Sequence, residues 1–180
     1  MNINCTVKKF YLNVLLAFAA AAIVALNSCN SNGMLSIGDK LPDYSGLTPE
    51  GDTMNLHAYF GKILLVNFWA GWCPDCRAHN PELVALYKQY KDFEIDGKKF
   101  DILSISLDNS HTQWKQNIES QGLVWPHHLS DFYGFKSEQL KPFKIHWIPS
   151  NYLVDENGVI LAQDVDRSNF EKILREHYTN

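Results

Sequence analysis

The sequence predicts a mixed β-sheet flanked by helices, and three observations carry that prediction. Ile63–Trp69 (ILLVNFW) is an unbroken apolar run with β-branched and aromatic residues between Gly61 and Gly71, the pattern of a strand buried on both faces. A helical repeat and then a second buried-strand pattern, Phe100–Leu107 (FDILSISL), follow it. Asn151–Val154 and Val159–Ala162 flank Asp155-Glu156-Asn157-Gly158, a β-hairpin whose turn is marked by Asn-Gly, and a last helical repeat comes after. A βαβ unit followed by ββα implies a mixed sheet with helices on both faces.

In chain order, residues 1–28 are different in kind from the rest. Lys8 and Lys9 precede the 17-residue apolar run Phe10–Leu26, which is short for a membrane-spanning helix and is interrupted by Asn13. A basic start, an apolar middle and small residues at the end are the layout of an export signal. Leu26-Asn27-Ser28-Cys29 resembles the bacterial lipobox, which implies cleavage before Cys29 and a lipid on that cysteine. Several acyl chains, each contributing about 0.8 kcal/mol per buried methylene, would hold the protein at a membrane. The polar stretch up to Ser36 reads as a tether, so that residues 29–36 link a lipid to a domain over residues 37–180.

Within the domain, Gly51-Asp52 marks a turn before a short strand near Met54–Leu56. A helix is expected from about Cys73 to Tyr90, with Leu83, Leu86, Tyr87 and Tyr90 on one face and Pro81 inside it as a kink. Ser110 and Gln113 form a candidate capping box opening a helix to about Gln121. Pro126–Lys141 yields only a short helix near Ser137–Leu140, and His127-His128 reads as a surface pair in a loop. The last helix is expected to start at Ser168, with Glu171 completing a capping box and Phe170, Ile173, Leu174, His177 and Tyr178 on its buried side.

Composition narrows the function. Apolar residues at 46% suffice for a core, and a formal charge of −4 lacks the basic footprint of a nucleic-acid binder. Of four cysteines, Cys5 leaves with the signal and Cys29 carries lipid, so Cys73 and Cys76 alone remain as thiols. A bridge over two residues closes almost no loop, so this pair is poorly suited as a staple. A zinc site needs four ligands, and none of the seven histidines has a spacing that recruits it.

The position of the pair suits redox work. It falls where a buried strand ends and a helix begins, so unpaired N–H groups and the positive end of the helix favour a thiolate. Pro74 fits the first helical position, and residues three apart on a helix are neighbours.

These residues carry a resemblance. Gly38–Asp43, Gly61–Ala70, Trp72-Cys73-Pro74-Asp75-Cys76-Arg77, Ile148-Pro149 and Asn151–Asp155 before Gly158 are similar to the thioredoxin superfamily. Within it they are similar to the membrane-anchored TlpA/ResA-like thiol–disulfide oxidoreductases. The resemblance implies a thioredoxin fold with an N-terminal extension and a central insertion. It implies Cys73 as an exposed nucleophile, Cys76 as the resolving thiol, Pro149 as a cis-proline beside the pair, and Ile148 as a backbone contact for an extended substrate. Trp72 would shield the thiols or touch substrate, or simply pack. No cofactor and no metal are implied. The partners implied are oxidised protein thiols, with cytochrome c precursors among the candidates, and a membrane electron donor. The place is the bacterial envelope on its periplasmic side, and the expected state is a monomer.

Departures from the family pattern matter. Asn67 stands where thioredoxin has a buried aspartate, leaving Asp108 as a candidate proton carrier, with a solvated loop aspartate as its plain alternative. His79 stands where relatives often carry Glu, and Trp147 where smaller residues are usual. Asp75, between the cysteines, opposes a thiolate by like-charge repulsion and so points to a reductant. The competing classes are a copper chaperone on the same fold, whose cysteines are usually spaced by three, and a redox-silent binding lipoprotein. A peroxidase is disfavoured because no lone Thr-x-x-Cys nucleophile is present.

Overall fold

A computed structural model of the chain describes residues 35–178. The expected signal (1–28), Cys29 as the expected lipid attachment point and most of the expected tether lie outside the described residues. Within them the strands are β1 (Ser45–Leu47), β2 (Thr53–Asn55), β3 (Ile63–Trp69), β4 (Glu94–Ile95), β5 (Lys98–Ser106), β6 (His127–Ser130), β7 (Ser150–Val154) and β8 (Ile160–Gln163). The α-helices are α1 (Pro74–Tyr90), α2 (His111–Ser120) and α3 (Arg167–Tyr178). Short 3₁₀ segments span Leu56–Tyr59, Gly134–Lys136 and Glu138–Phe143.

The sheet runs β2-β1-β6-β5-β3-β7-β8, with β4 paired to β5 off that path. β3, β5 and β6 are mutually parallel, while β7 and β1 run antiparallel to their neighbours β3 and β6. All seven residues of β3 are buried, because β3 lies mid-sheet with both faces covered. The crossovers β3–α1–β5 and β5–α2–β6 step the same way, so right-handedness puts α1 and α2 on one face. There Tyr87 of α1 meets Trp125, and Phe170 of α3 packs on Tyr90 and Phe100. The other face is closed by the 3₁₀ segment ending at Phe143. Its ring packs on Phe68 and Tyr44, and its carbonyl accepts the Tyr152 hydroxyl at 2.8 Å.

Two sequence expectations need correction. His127 and His128 are not a surface pair: they open the parallel strand β6, whose four residues are too short and polar to stand out as a pattern. His128 is buried with its ring stacked on Trp125, and His127 Nε2 lies 3.1 Å from the Asp101 carboxylate that Lys62 also holds at 2.6 Å. The last helix is capped by Asp166, not Ser168: Asp166 Oδ1 accepts the N–H groups of Ser168 (2.7 Å) and Asn169 (3.0 Å). Of the expected buried side, Phe170 and Leu174 are buried and Ile173 and Tyr178 half-buried, while His177 is exposed.

Candidate active site

β3 ends at Trp69, and the chain must turn before α1 can start. Cys73 N–H donates to the Ala70 carbonyl (3.2 Å), Arg77 Nη1 to the Gly71 carbonyl (2.8 Å), and Leu107 N–H to the Trp69 carbonyl (2.8 Å). Gly71 is required here for space: a Cβ on it would sit 1.8 Å from the side-chain nitrogen of Asn117 in α2. Gly71 lies in the turn that leaves β3, and there it packs closely against α2.

Cys73 is the N-cap of α1, and Pro74 takes the first helical position, where an N–H would have no helical partner. The Cys73 sulfur accepts the Cys76 N–H at 3.1 Å, doing what a Ser or Asp oxygen does at other helix starts. Cys73 and Cys76 form a disulfide with their Cα atoms 5.3 Å apart. In this oxidised form Cys73 is only 4% exposed and Cys76 0%, so the expected exposed sulfur is instead a rim position leading to a buried partner.

Tertiary structure brings the second expected segment to the first. The Ile148–Pro149 peptide bond is cis, and the Ile148 carbonyl oxygen lies 3.7 Å from the Cys73 sulfur. Trp72 and Trp147 immediately precede the two residues of this contact, Cys73 and Ile148, and each is about half exposed (52% and 53%). Trp72 Nε1 donates to the Leu107 carbonyl at 3.4 Å, tying the indole to the end of β5.

Asp108 is not solvated. It is 4% exposed, and its carboxylate accepts the Gly71 N–H (3.0 Å) and the Ser106 hydroxyl (2.8 Å). It therefore clamps the loop that carries Trp72 and Cys73, and it makes no hydrogen bond to either sulfur among the described contacts. Asn67 lies in the row His128–Ser104–Asn67–Asn151 across β6, β5, β3 and β7, on the face covered by α1. Both polar atoms of its side chain are enclosed without a partner, as is His79 Nδ1 on α1. Sequence reasoning missed Arg77 and Leu107, which fasten the loop; Arg77 stood in plain view one residue after the pair, but its target is a backbone oxygen and leaves no pattern.

Comparison with known proteins agrees with this geometry. Residues 37–163 match the model of the AhpC/TSA family. The thiol-disulfide oxidoreductase ResA of Oceanobacillus iheyensis is 31% identical over 158 residues, covering 84% of this chain and 77% of the relative. The structure of a thiol-disulfide oxidoreductase from Bacteroides fragilis superposes with a TM-score of 0.67 at 33% identity, covering 77% of this chain and 98% of that one. The thioredoxin domain of a thiol-disulfide oxidoreductase from Bacteroides vulgatus does so with a TM-score of 0.69 at 27% identity, covering 80% and 99%. A thioredoxin-like fold, a closed Cys73–Cys76 pair at a strand-to-helix junction and these relatives together identify the chain as a member of the AhpC/TSA family and a thiol-disulfide oxidoreductase.

Proposed function

We propose that the protein reduces disulfides of proteins outside the cytoplasm, with Cys73 as nucleophile and Cys76 as resolving thiol. The observation that carries this reading is the placement of the Cys73 sulfur, between the Cys76 N–H at 3.1 Å and the Ile148 carbonyl oxygen at 3.7 Å. The N–H and the helix end favour the thiolate of Cys73 once the pair is reduced. An extended substrate lying along Ile148-Pro149 would present its disulfide to that sulfur.

The thiolate of Cys73 attacks one substrate sulfur, the substrate S–S bond breaks, and the other substrate sulfur leaves as a thiolate that takes a proton. Cys76 then attacks Cys73, releases the second substrate thiol and closes the internal disulfide. Two electrons have passed to the substrate, so a donor must reduce the pair again. Membrane attachment through Cys29 would keep the domain beside a membrane-embedded donor. Trp72 and Trp147, both exposed, would flank the substrate. Asp75 supports the reducing direction, but it is itself exposed, so solvent and salt weaken its repulsion.

Insulin reduction by the full chain tests the activity: turnover by wild type and none by Cys73→Ser is expected, and full turnover by Cys73→Ser would overturn the reading. The equilibrium potential against glutathione tests direction. A value near about −270 mV supports a reductant, and one near about −120 mV would make the protein an oxidant.

A further inference from the structure

Resolution of a mixed disulfide needs a base, because Cys76 must lose its proton before its sulfur attacks Cys73. Cys76 is fully buried, so bulk water has no direct access to that proton. Asn67, in the strand beneath, does not titrate. Asp108 has its carboxylate engaged by Gly71 and Ser106 on the loop side of the pair.

His79 differs from both. It follows Cys76 by three residues on α1, and residues three apart share a helix face. Helical side chains lean back toward the helix N-terminus, over the residue three or four positions earlier, which here means toward Cys76. The imidazole is half-buried, and its Nδ1 is enclosed with no hydrogen-bond partner, an acceptor or donor held ready inside the protein.

Beyond His79 the head of α3 provides an exit. Asp166 is held below the usual carboxylate range, chiefly by the Ser168 hydroxyl and the Asn169 N–H, and the charge of His79 contributes in the same direction. A groove of about 640 Å³ lined by Pro81, Glu82, Ala85, Asp166, Arg167 and Ser168 opens beside Asp166. On its own helix Asp75 and Glu82 stand four residues before and three after His79, and from α3 Asp166 interacts with it, with Arg167 next along the chain.

We propose that His79 is the base of the resolving step, taking the Cys76 proton and delivering it to water in the groove beside Asp166. The proposal rests on the assignment of Cys76 as the resolving thiol. In the step, the Cys76 S–H bond breaks and its proton goes to the imidazole. The Cys76 sulfur then bonds to the Cys73 sulfur, and the substrate sulfur leaves with the electron pair of the broken mixed disulfide and is protonated by solvent. The imidazolium returns its proton to water, so His79 ends the cycle unchanged.

The test uses the full chain carrying Cys5→Ser and Cys29→Ser, so that Cys73 and Cys76 are its only thiols, reduced and then mixed with excess 5,5′-dithiobis(2-nitrobenzoate). The first thionitrobenzoate released reports attack by Cys73, and the second reports resolution by Cys76. His79→Gln is expected to slow the second release at least tenfold at neutral pH, and to remove the acid limb from its pH–rate profile, while the first release changes less than threefold. An unchanged second release, or equal slowing of both, would overturn the proposal. Failure of wild-type protein to reduce insulin would instead sink the underlying function, and the two failures are read in separate assays.

Discussion

The sulfur of Cys73 and the backbone oxygen of Ile148 stand 3.7 Å apart across 75 residues of sequence. That closure sets a backbone oxygen from the cis-proline segment beside a sulfur that caps a helix. The two atoms follow the end of β3 and precede the start of β7, neighbouring strands that pair directly from Leu64↔Val154 to Phe68↔Ser150.

The division of labour between the sulfurs has a direct readout. Cys76→Ser leaves the rim sulfur and removes the buried one, so mixed disulfides with substrate should accumulate and vanish on adding reductant. Non-reducing electrophoresis of protein from cells checks this. Adducts formed equally well by Cys73→Ser would reverse the assignment.

Asp108→Ala should destabilise the protein by about 1–3 kcal/mol, because it leaves the buried Gly71 N–H and Ser106 hydroxyl without their acceptor. Insulin turnover should fall with it, since Trp72 and Cys73 ride on the same loop. Denaturant midpoints give the first quantity. A midpoint unchanged from wild type would remove the clamp from the account.

Gly71→Ala tests packing rather than backbone freedom. The added methyl would meet the Asn117 side chain at 1.8–2.8 Å, and overpacking of this kind costs about 1–3 kcal/mol. Adding Asn117→Ala should recover part of the loss, although not all, because the Asn117 Cβ itself lies 2.8 Å from the new methyl. Equal stability of the single and double variants would place the strain elsewhere.

Acid should weaken the fold at His128 before it reaches the carboxylates. Burial pushes the pKa of this histidine down to about 4, against the partial offset of the Trp125 carbonyl that its ring bonds at 2.8 Å. A folded pKa below the unfolded one of about 6.5 means the unfolded chain binds the extra proton first. Its contribution is therefore complete above about pH 6.5, is lost progressively as pH falls toward 4, and amounts to about 3 kcal/mol at most. Urea midpoints between pH 7 and pH 4 measure it, and His128→Gln should flatten that slope. An equal slope in the variant would assign the acid sensitivity to another group.

Local pattern carried much of this. The apolar run of β3 was legible residue for residue, since a strand buried on both faces has no reason to alternate. The α1 start was legible from Pro74, and the final hairpin from Asn157-Gly158, whose glycine takes a φ of +80°. β6 escaped because His127-His128-Leu129-Ser130 is polar and short, and its place is set by pairing with β5, not by its own composition. The α3 cap escaped because Asp166 and Ser168 are both competent caps, and only the chain path from β8 chooses between them.

For this protein, sequence alone determined which two sulfurs react and what kind of backbone holds them, because a CxxC at a strand-to-helix junction is a local arrangement with local physics. Tertiary structure decided what surrounds them. It made Asp108 a clamp by bringing the end of β5 against Gly71. It closed Cys73 against Ile148, and it left His79, one helical turn after Cys76, with an enclosed nitrogen that has no partner. Such roles depend on distances between segments far apart in the chain, and no spacing along the sequence encodes them.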